Sequence, residues 1–387
     1  MSDEINHEGS PPADEFELHD DEAQLAAKLF GYRDMAVDII RDMLATEHAL
    51  IWGEIIARAA DHVWSADLHD IRINPHHLRE GLKYLIDMKQ VQQQSLPTRG
   101  GRTIGVYTSA DVPGRQRVTE RAAARKRLLA ARYQGWASGS DAVRGVIGPT
   151  AEEIVHASLS QAAGYVGYKL LNPEGGSIGS VRNIAVPFGP LDNAAWLRHE
   201  QDPREYLLVI EVKSLRSWIY PGSSRLFQLL HKAAMLSQSL PEVEILPVFI
   251  CRRAHITTFR MARDLGFHVI DTLGIQWLPR LASIDEASVT EVRRELGYVD
   301  LRFADGPDKY LLKQFREVLP RVSSARVERW RLIGSQLNDQ YRLLAQEQHP
   351  DEEFQGGQAL RELRVLSGAM LRQLPDEDRG SRISGGW

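Results

Sequence analysis

Between residues 205 and 271 short apolar runs alternate with amphipathic stretches. The run Tyr206-Leu-Leu-Val-Ile210 is apolar on both faces, as a strand covered on both sides requires. Helical spacing then predicts a helix over 224–239, a strand over 244–251, a helix over 257–265 and a strand over 267–271. Upstream, a helix is expected over 151–163, with extended segments near 167–171 and 181–188. In chain order this is α-β-β-β-α-β with a further αβ pair. The fold class expected for 145–275 is therefore α/β with a mixed sheet.

The rest of the chain divides around that core. Residues 1–22 carry many acidic and no basic residues and read as a disordered tail. Residues 23–110 predict a small domain with helices over 32–44 and 50–60. Asn74-Pro75 starts a third helix, which places Leu78, Leu82, Leu85 and Ile86 at helical spacing. Extended runs over 91–96 and 103–108 follow, joined by the turn Thr98-Arg99-Gly100-Gly101-Arg102. Residues 111–144 form a basic helical connector with Arg115, Arg117, Arg121, Arg125, Lys126, Arg127 and Arg132. Residues 276–378 read as helical, with a charged helix over 323–348, and the Gly, Ser and Arg of 379–387 read as unfolded.

Composition narrows the class. The hydrophobic and charged fractions, 43% and 26%, are those of a globular protein. No apolar run approaches the ~20 residues needed to cross a membrane, and no secretory start is present, so a cytoplasmic, membrane-free location is expected. The single Cys251 excludes a disulfide framework and reads as buried and inert. The net charge of −5 conceals an asymmetry, because without the acidic tail the body is slightly positive. No Gly-x-x-x-x-Gly-Lys-Ser/Thr loop occurs, so the chain shows no ATP motor of its own.

The candidate chemistry lies in Glu152, Asp192 and Glu211-Val212-Lys213. Alternate residues of a strand share a face, so Glu211 and Lys213 point one way and Val212 the other. On the preceding helix, Glu152 lies on the stripe of Val155, Leu159 and Ala163 that must meet the sheet, while Glu153 lies a quarter-turn nearer solvent. Two acidic groups and a lysine at one strand end suit a hard divalent cation and a phosphate. Taken singly, each has a plainer reading. Pro190-Leu-Asp192-Asn is good turn chemistry, and Glu152 suits a helix N-terminus. Lys232 and Arg252 read as solvated surface charges, with phosphate contact as the other reading.

The ordered set Glu152, Asp192, Glu211-x-Lys213 on such a core resembles the PD-(D/E)xK nuclease superfamily, restriction-endonuclease-like, over roughly a third of the chain. The resemblance implies Asp192 and Glu211 as ligands of Mg²⁺, or of Mn²⁺ in its place, with the Val212 carbonyl as a further ligand. It implies that Lys213 orients the attacking water and that Glu152 is the helix carboxylate. Gln228-Leu-Leu-His231 is similar to a Gln-x-x-Tyr motif of exonuclease-type relatives, with His for Tyr. Gln228 then binds DNA or a water, or is an exposed helix residue.

Residues 32–110 resemble a winged helix, which implies DNA contact through His76, His77, Arg79 and Lys83 of the third helix and Arg99 and Arg102 of the wing. The implied function is DNA cleavage in restriction, anti-phage defence or repair, by a chain that forms a homodimer to cut both strands. Two other readings are a DNA-binding regulator with a non-catalytic scaffold and an RNA-cleaving enzyme.

Overall fold

The computed structural model describes residues 22–62, 72–97, 103–110, 114–140, 143–198, 204–346 and 357–374, with backbone only for 22–30, Leu96, Ser140, Val143 and Arg144. The expected acidic tail, save its last residue, the wing tip with Arg99 and Arg102, and the stretch 379–387 lie outside the described residues. The architecture is mixed α/β.

The N-terminal unit opens with α1 (Glu22–Glu47), β1 (Leu50–Ile51) and α2 (Trp52–Ile55), which runs into a π-helical turn at Ile56–Asp61. After Asn74 comes α3 (Pro75–Asp87), then β2 (Val91–Pro97) and β3 (Thr103–Ser109). The expected second helix begins two residues late, because Leu50 and Ile51 pair with Tyr107 and Val106 as a third strand, in the order β1-β3-β2. Leu78, Leu82 and Leu85 of α3 pack on Ile40 and Met43 of α1. The two helices meet at Gly81, where a Cβ would lie 3.0 Å from that of Ala36.

The basic stretch forms α4 (Gln116–Ser138) and the short pair β4 (Gly139–Ser140) and β5 (Val143–Arg144). It is no solvated connector. Leu129, Ala130 and Tyr133 share a core with Ile104 and Val106 of β3 and with Val289, Val292 and Leu296 further along. Lys126, only 2% exposed, donates to Glu47 at 2.8 Å, Glu54 at 2.6 Å and the Glu295 carbonyl at 2.6 Å. Arg125 and Arg132 both pair with Glu291. Arg115, Arg117 and Arg121 stay exposed.

The central unit comprises α5 (Ile147–Ala163), β6 (Gly167–Leu170), the hairpin β7 (Ser180–Val181) and β8 (Ile184–Ala185), β9 (Asn193–Arg198), β10 (Glu205–Lys213), α6 (Ser224–Ser239), β11 (Glu244–Cys251), α7 (Ile256–Leu265) and β12 (His268–Asp271). The sheet order is β12-β11-β10-β9-β6, with β10, β11 and β12 parallel and β9 antiparallel to both its neighbours. The extended segment expected near 181–188 is not a sheet strand. Its turn takes Arg182 and Asn183 into the left-handed region, and β7 and β8 pair only with each other. The sheet strand is instead β9, over residues that carried no strand expectation.

Alternation along β10 and β11 divides the core. Leu207, Val209, Ile245, Phe249 and Cys251 face α6 and α7. Tyr206, Leu208, Ile210, Val212, Leu246, Val248 and Ile250 face α5. Burial pushes the Cys251 thiol well above its ordinary pKa.

The remaining elements are β13 (Gln276–Leu278), α8 (Glu286–Leu296), β14 (Leu301–Phe303), α9 (Lys309–Lys313), α10 (Leu319–Leu332), α11 (Asn338–Gln346) and α12 (Gln358–Gln373). The charged helix expected over 323–348 is broken at Gly334, which sits too close to the Trp330 ring and the Leu265 carbonyl for any side chain. Trp330, Tyr341 and Leu363 pack on Phe227 of α6. The C-terminal helices thus spend their apolar faces on the sheet's own core.

A buried ionic knot ties the N-terminal unit to the sheet. Arg252 follows β11 and is 1% exposed, not the surface charge expected. It donates to both oxygens of Asp61, at 2.8 and 3.2 Å, to Asp300 at 3.3 Å, and to the Leu215 and Arg216 carbonyls. Arg216 reaches both Asp300 oxygens at 2.8 Å and lies over the Tyr298 ring. Trp218 donates to Asp61 at 2.9 Å. Burial opposes the charge on Asp300, but Arg216 and Arg252 outweigh it and hold the pKa below the usual value. Asp61→Ala removes one side of a buried pair and should cost about 3–5 kcal/mol in urea unfolding. A cost under about 1 kcal/mol, the range of surface pairs, would show that the knot does not hold the units together.

Candidate active site

β9 starts at Asn193 opposite Ile210, so the last three residues of β10 run past their antiparallel partner. The chain before β9 is pinned by paired hydrogen bonds between Ile178 and Leu191, at 2.8 and 3.0 Å. This places Asp192 beside the overhang, where its Oδ2 accepts the Val212 amide at 2.7 Å. A strand residue's N–H and C=O point to the same edge. The Val212 carbonyl therefore faces the side where Asp192 lies.

Glu211 and Lys213 occupy the face covered by α6. Glu211 is 5% exposed, and its Oε1 accepts Lys213 Nζ at 2.6 Å. Its Oε2 accepts Lys232 Nζ of α6 at 3.2 Å. Lys213 lies 3.4 Å from Asp192 Oδ2, and Lys232 also donates to the Pro190 carbonyl at 2.8 Å. Two carboxylates and two ammonium groups thus meet at the end of one strand.

Burial lifts the Asp192 pKa above its ordinary value and Glu211 adds to this, against Lys213 and the Val212 amide. Burial also opposes the charge on Lys213. Glu211 and Asp192 outweigh it and hold the ammonium above the usual lysine value. Lys213 is therefore a fixed cation and donor at neutral pH, not a base.

The predicted residues are distributed unevenly. Asp192, Glu211, Val212 and Lys213 converge. Glu152 is half-buried and Glu153 exposed, as the helical stripe implies. Yet α5 packs on the Val212 face of the sheet, opposite Glu211 and Lys213. Among the described residues no three of His, Cys, Asp and Glu gather to hold a metal, so Glu152 completes no carboxylate triad. The facing α5 side chain is His156, which bonds Asn193 Oδ1 at 3.0 Å.

Gln228 is exposed on α6, one turn before Lys232. Lys232 was expected in solvent and is 5% exposed. One signal for it was present. A lysine flanked by Leu229, Leu230, Ala233 and Ala234 lies in the apolar part of its helix and needs an internal counter-charge.

The expected DNA-reading face of α3 is corrected. His76 bonds the Tyr220 hydroxyl at 3.1 Å and packs edge-on against the rings of Tyr220 and His255. His77 is 5% exposed and stacks on Tyr32. Arg79 lies over the Trp52 ring. Burial pushes His76 down to about 3 and His255 to about 4, so both are neutral at pH 7. The start of α3 is thus buried against the loop after β10. Of the four α3 residues only Lys83 is exposed.

The donor set suits Mg²⁺: Asp192 and Glu211 carboxylates and the Val212 carbonyl are hard oxygens, and Mg²⁺ takes one or two carboxylates with the rest from water and phosphate. Burial, the largest cause of the raised Asp192 pKa, disfavours a carboxylate charge that a bound cation would stabilise. No family model, curated protein or solved structure matches the chain.

Without a divalent ion, Asp192, whose folded pKa is raised, contributes stability that is present below the ordinary aspartate range and lost as pH rises. Mg²⁺ needs the deprotonated form, so it should raise the melting midpoint more at about pH 8 than at about pH 5. At about 100-fold over its dissociation constant the gain is about 2.7 kcal/mol. Asp192→Asn should remove it. A midpoint indifferent to Mg²⁺ at the higher pH would rule out the site.

Proposed function

We propose that the chain is a Mg²⁺-dependent endonuclease that hydrolyses DNA phosphodiesters, of PD-(D/E)xK type, in restriction, anti-phage defence or repair. The observation that carries it is the convergence of Asp192, Glu211 and Lys213 at the overhanging end of β10. Asp192, Glu211 and the Val212 carbonyl would hold a Mg²⁺, which when bound would supply a Lewis acid and acidify water.

The chain's own groups do the rest. Lys213, fixed as a cation, can donate to a phosphate oxygen and offset the charge that builds there. Asp192 is oriented by the Val212 amide. Lys232 holds the second Glu211 oxygen in place. The order β1-β3-β2 behind three helices supports a winged-helix reading of the N-terminal unit. With its first turn buried, α3 has no free N-terminal end for the major groove. The exposed Arg115, Arg117 and Arg121 of α4 are the better phosphate contacts.

A second reading, a non-catalytic DNA-binding scaffold, draws on the same cluster, since Lys213 and Lys232 already neutralise Glu211. Supercoiled plasmid separates the two. The full chain should relax or linearise it with Mg²⁺ or Mn²⁺ and not with EDTA. Asp192→Ala or Lys213→Ala removes several kcal/mol of charge stabilisation and should slow cutting about 10³-fold. Wild-type rates in these variants would sink the assignment, and cutting of RNA alone would move it to that substrate.

A further inference from the structure

Phe188 sits four residues before Asp192 and is 69% exposed, the most exposed of the large hydrophobic side chains described. Its φ of 60° lies in the left-handed region, which a bulky residue adopts only when its surroundings impose it. The imposing contacts are visible. Gly189 after it has φ 99°, and the Pro190 carbonyl is held by Lys232. Beneath the ring lies the imidazole of His231, with centroids 4.4 Å apart and planes tilted by 33°.

His231 is itself 4% exposed and fixed by Asn338 at 2.6 Å. Its Nε2 has no hydrogen-bond partner among the described residues. Gln228 lies one turn earlier on α6, above both His231 and Lys232, and is exposed. An aromatic plate, backed by a rigid ring, therefore stands on the α6 residue next to Lys232, which holds Glu211 of the candidate site.

We propose that Phe188 stacks on an unpaired nucleobase next to the scissile phosphate, so that the substrate class is DNA with single-stranded character. This rests on the phosphodiesterase reading above. Base stacking on an aromatic side chain is sequence-tolerant, because every base has a π-face. A paired base buries that face in its own duplex. The strained backbone spends folding stability to hold outward a side chain that burial would otherwise claim.

The test uses the full chain with Ca²⁺ in place of Mg²⁺ and a single-stranded oligonucleotide carrying 2-aminopurine. Wild type and Phe188→Trp should bind it with a change in fluorescence. Phe188→Leu and Phe188→Ala should bind about tenfold more weakly, the low-to-middle range of one stacked base. Equal affinity of all four proteins, or no binding by wild type, overturns the proposal. Plasmid cutting by wild type alongside equal affinities keeps the hydrolysis reading and discards the stack. Absence of Mg²⁺-dependent cutting of both the plasmid and the single-stranded oligonucleotide, alongside the aromatic preference, discards hydrolysis and leaves the stack.

Discussion

β10 extends beyond the end of its antiparallel neighbour, and the amide that this overhang exposes must find an acceptor. A buried backbone N–H left unpaired would cost as much as a lost hydrogen bond. Asp192 supplies the oxygen, from a loop held by the Ile178–Leu191 pair. Once there, its carboxylate lies against Lys213, which lies against Glu211, which lies against Lys232. Sheet geometry alone thus brings acids from two distant stretches to one point. The price is a carboxyl held partly out of water, which a divalent cation would relieve.

How far the sequence reveals this depends on how each part is stabilised. β10 was readable because a central strand is apolar on both faces, and its last residues turn polar in alternation. The pairing of Asp192 with Glu211 and Lys213 followed from that. β9 was not readable. Asn-Ala-Ala-Trp-Leu-Arg has little β-branched character, and it is a strand because β6 and β10 pair with it on both edges. Lys232 and Arg252 were misjudged for one reason: a charged residue type says nothing of a counter-charge 21 or 191 positions away. His76 and His77 were misplaced because α3 was read as a free face, whereas Tyr220 and His255 cover its start.

The buried ionic knot also recasts the organisation. The helix rich in arginine and lysine looked like a joint between domains. Instead its apolar face completes a core that joins β3 to α8, and its central lysine is consumed by Glu47 and Glu54. The loop that leaves β10 through Leu215 and Arg216 is clamped by Arg252 two residues after Lys213. Any movement of the N-terminal unit that shifts Asp61 is therefore mechanically close to the strand end where Asp192, Glu211 and Lys213 converge.

That clamp has a consequence for how the chain comes to be folded. Asp61 emerges early in synthesis, while Arg252 and Asp300 come much later, with 191 residues separating the first pair. Until the later segments arrive, the acid lacks the cation that pairs with it in the folded chain. Contacts of such long sequence separation form late and slowly. The knot around Asp61 is thus complete only once Arg252 and Asp300 have been made.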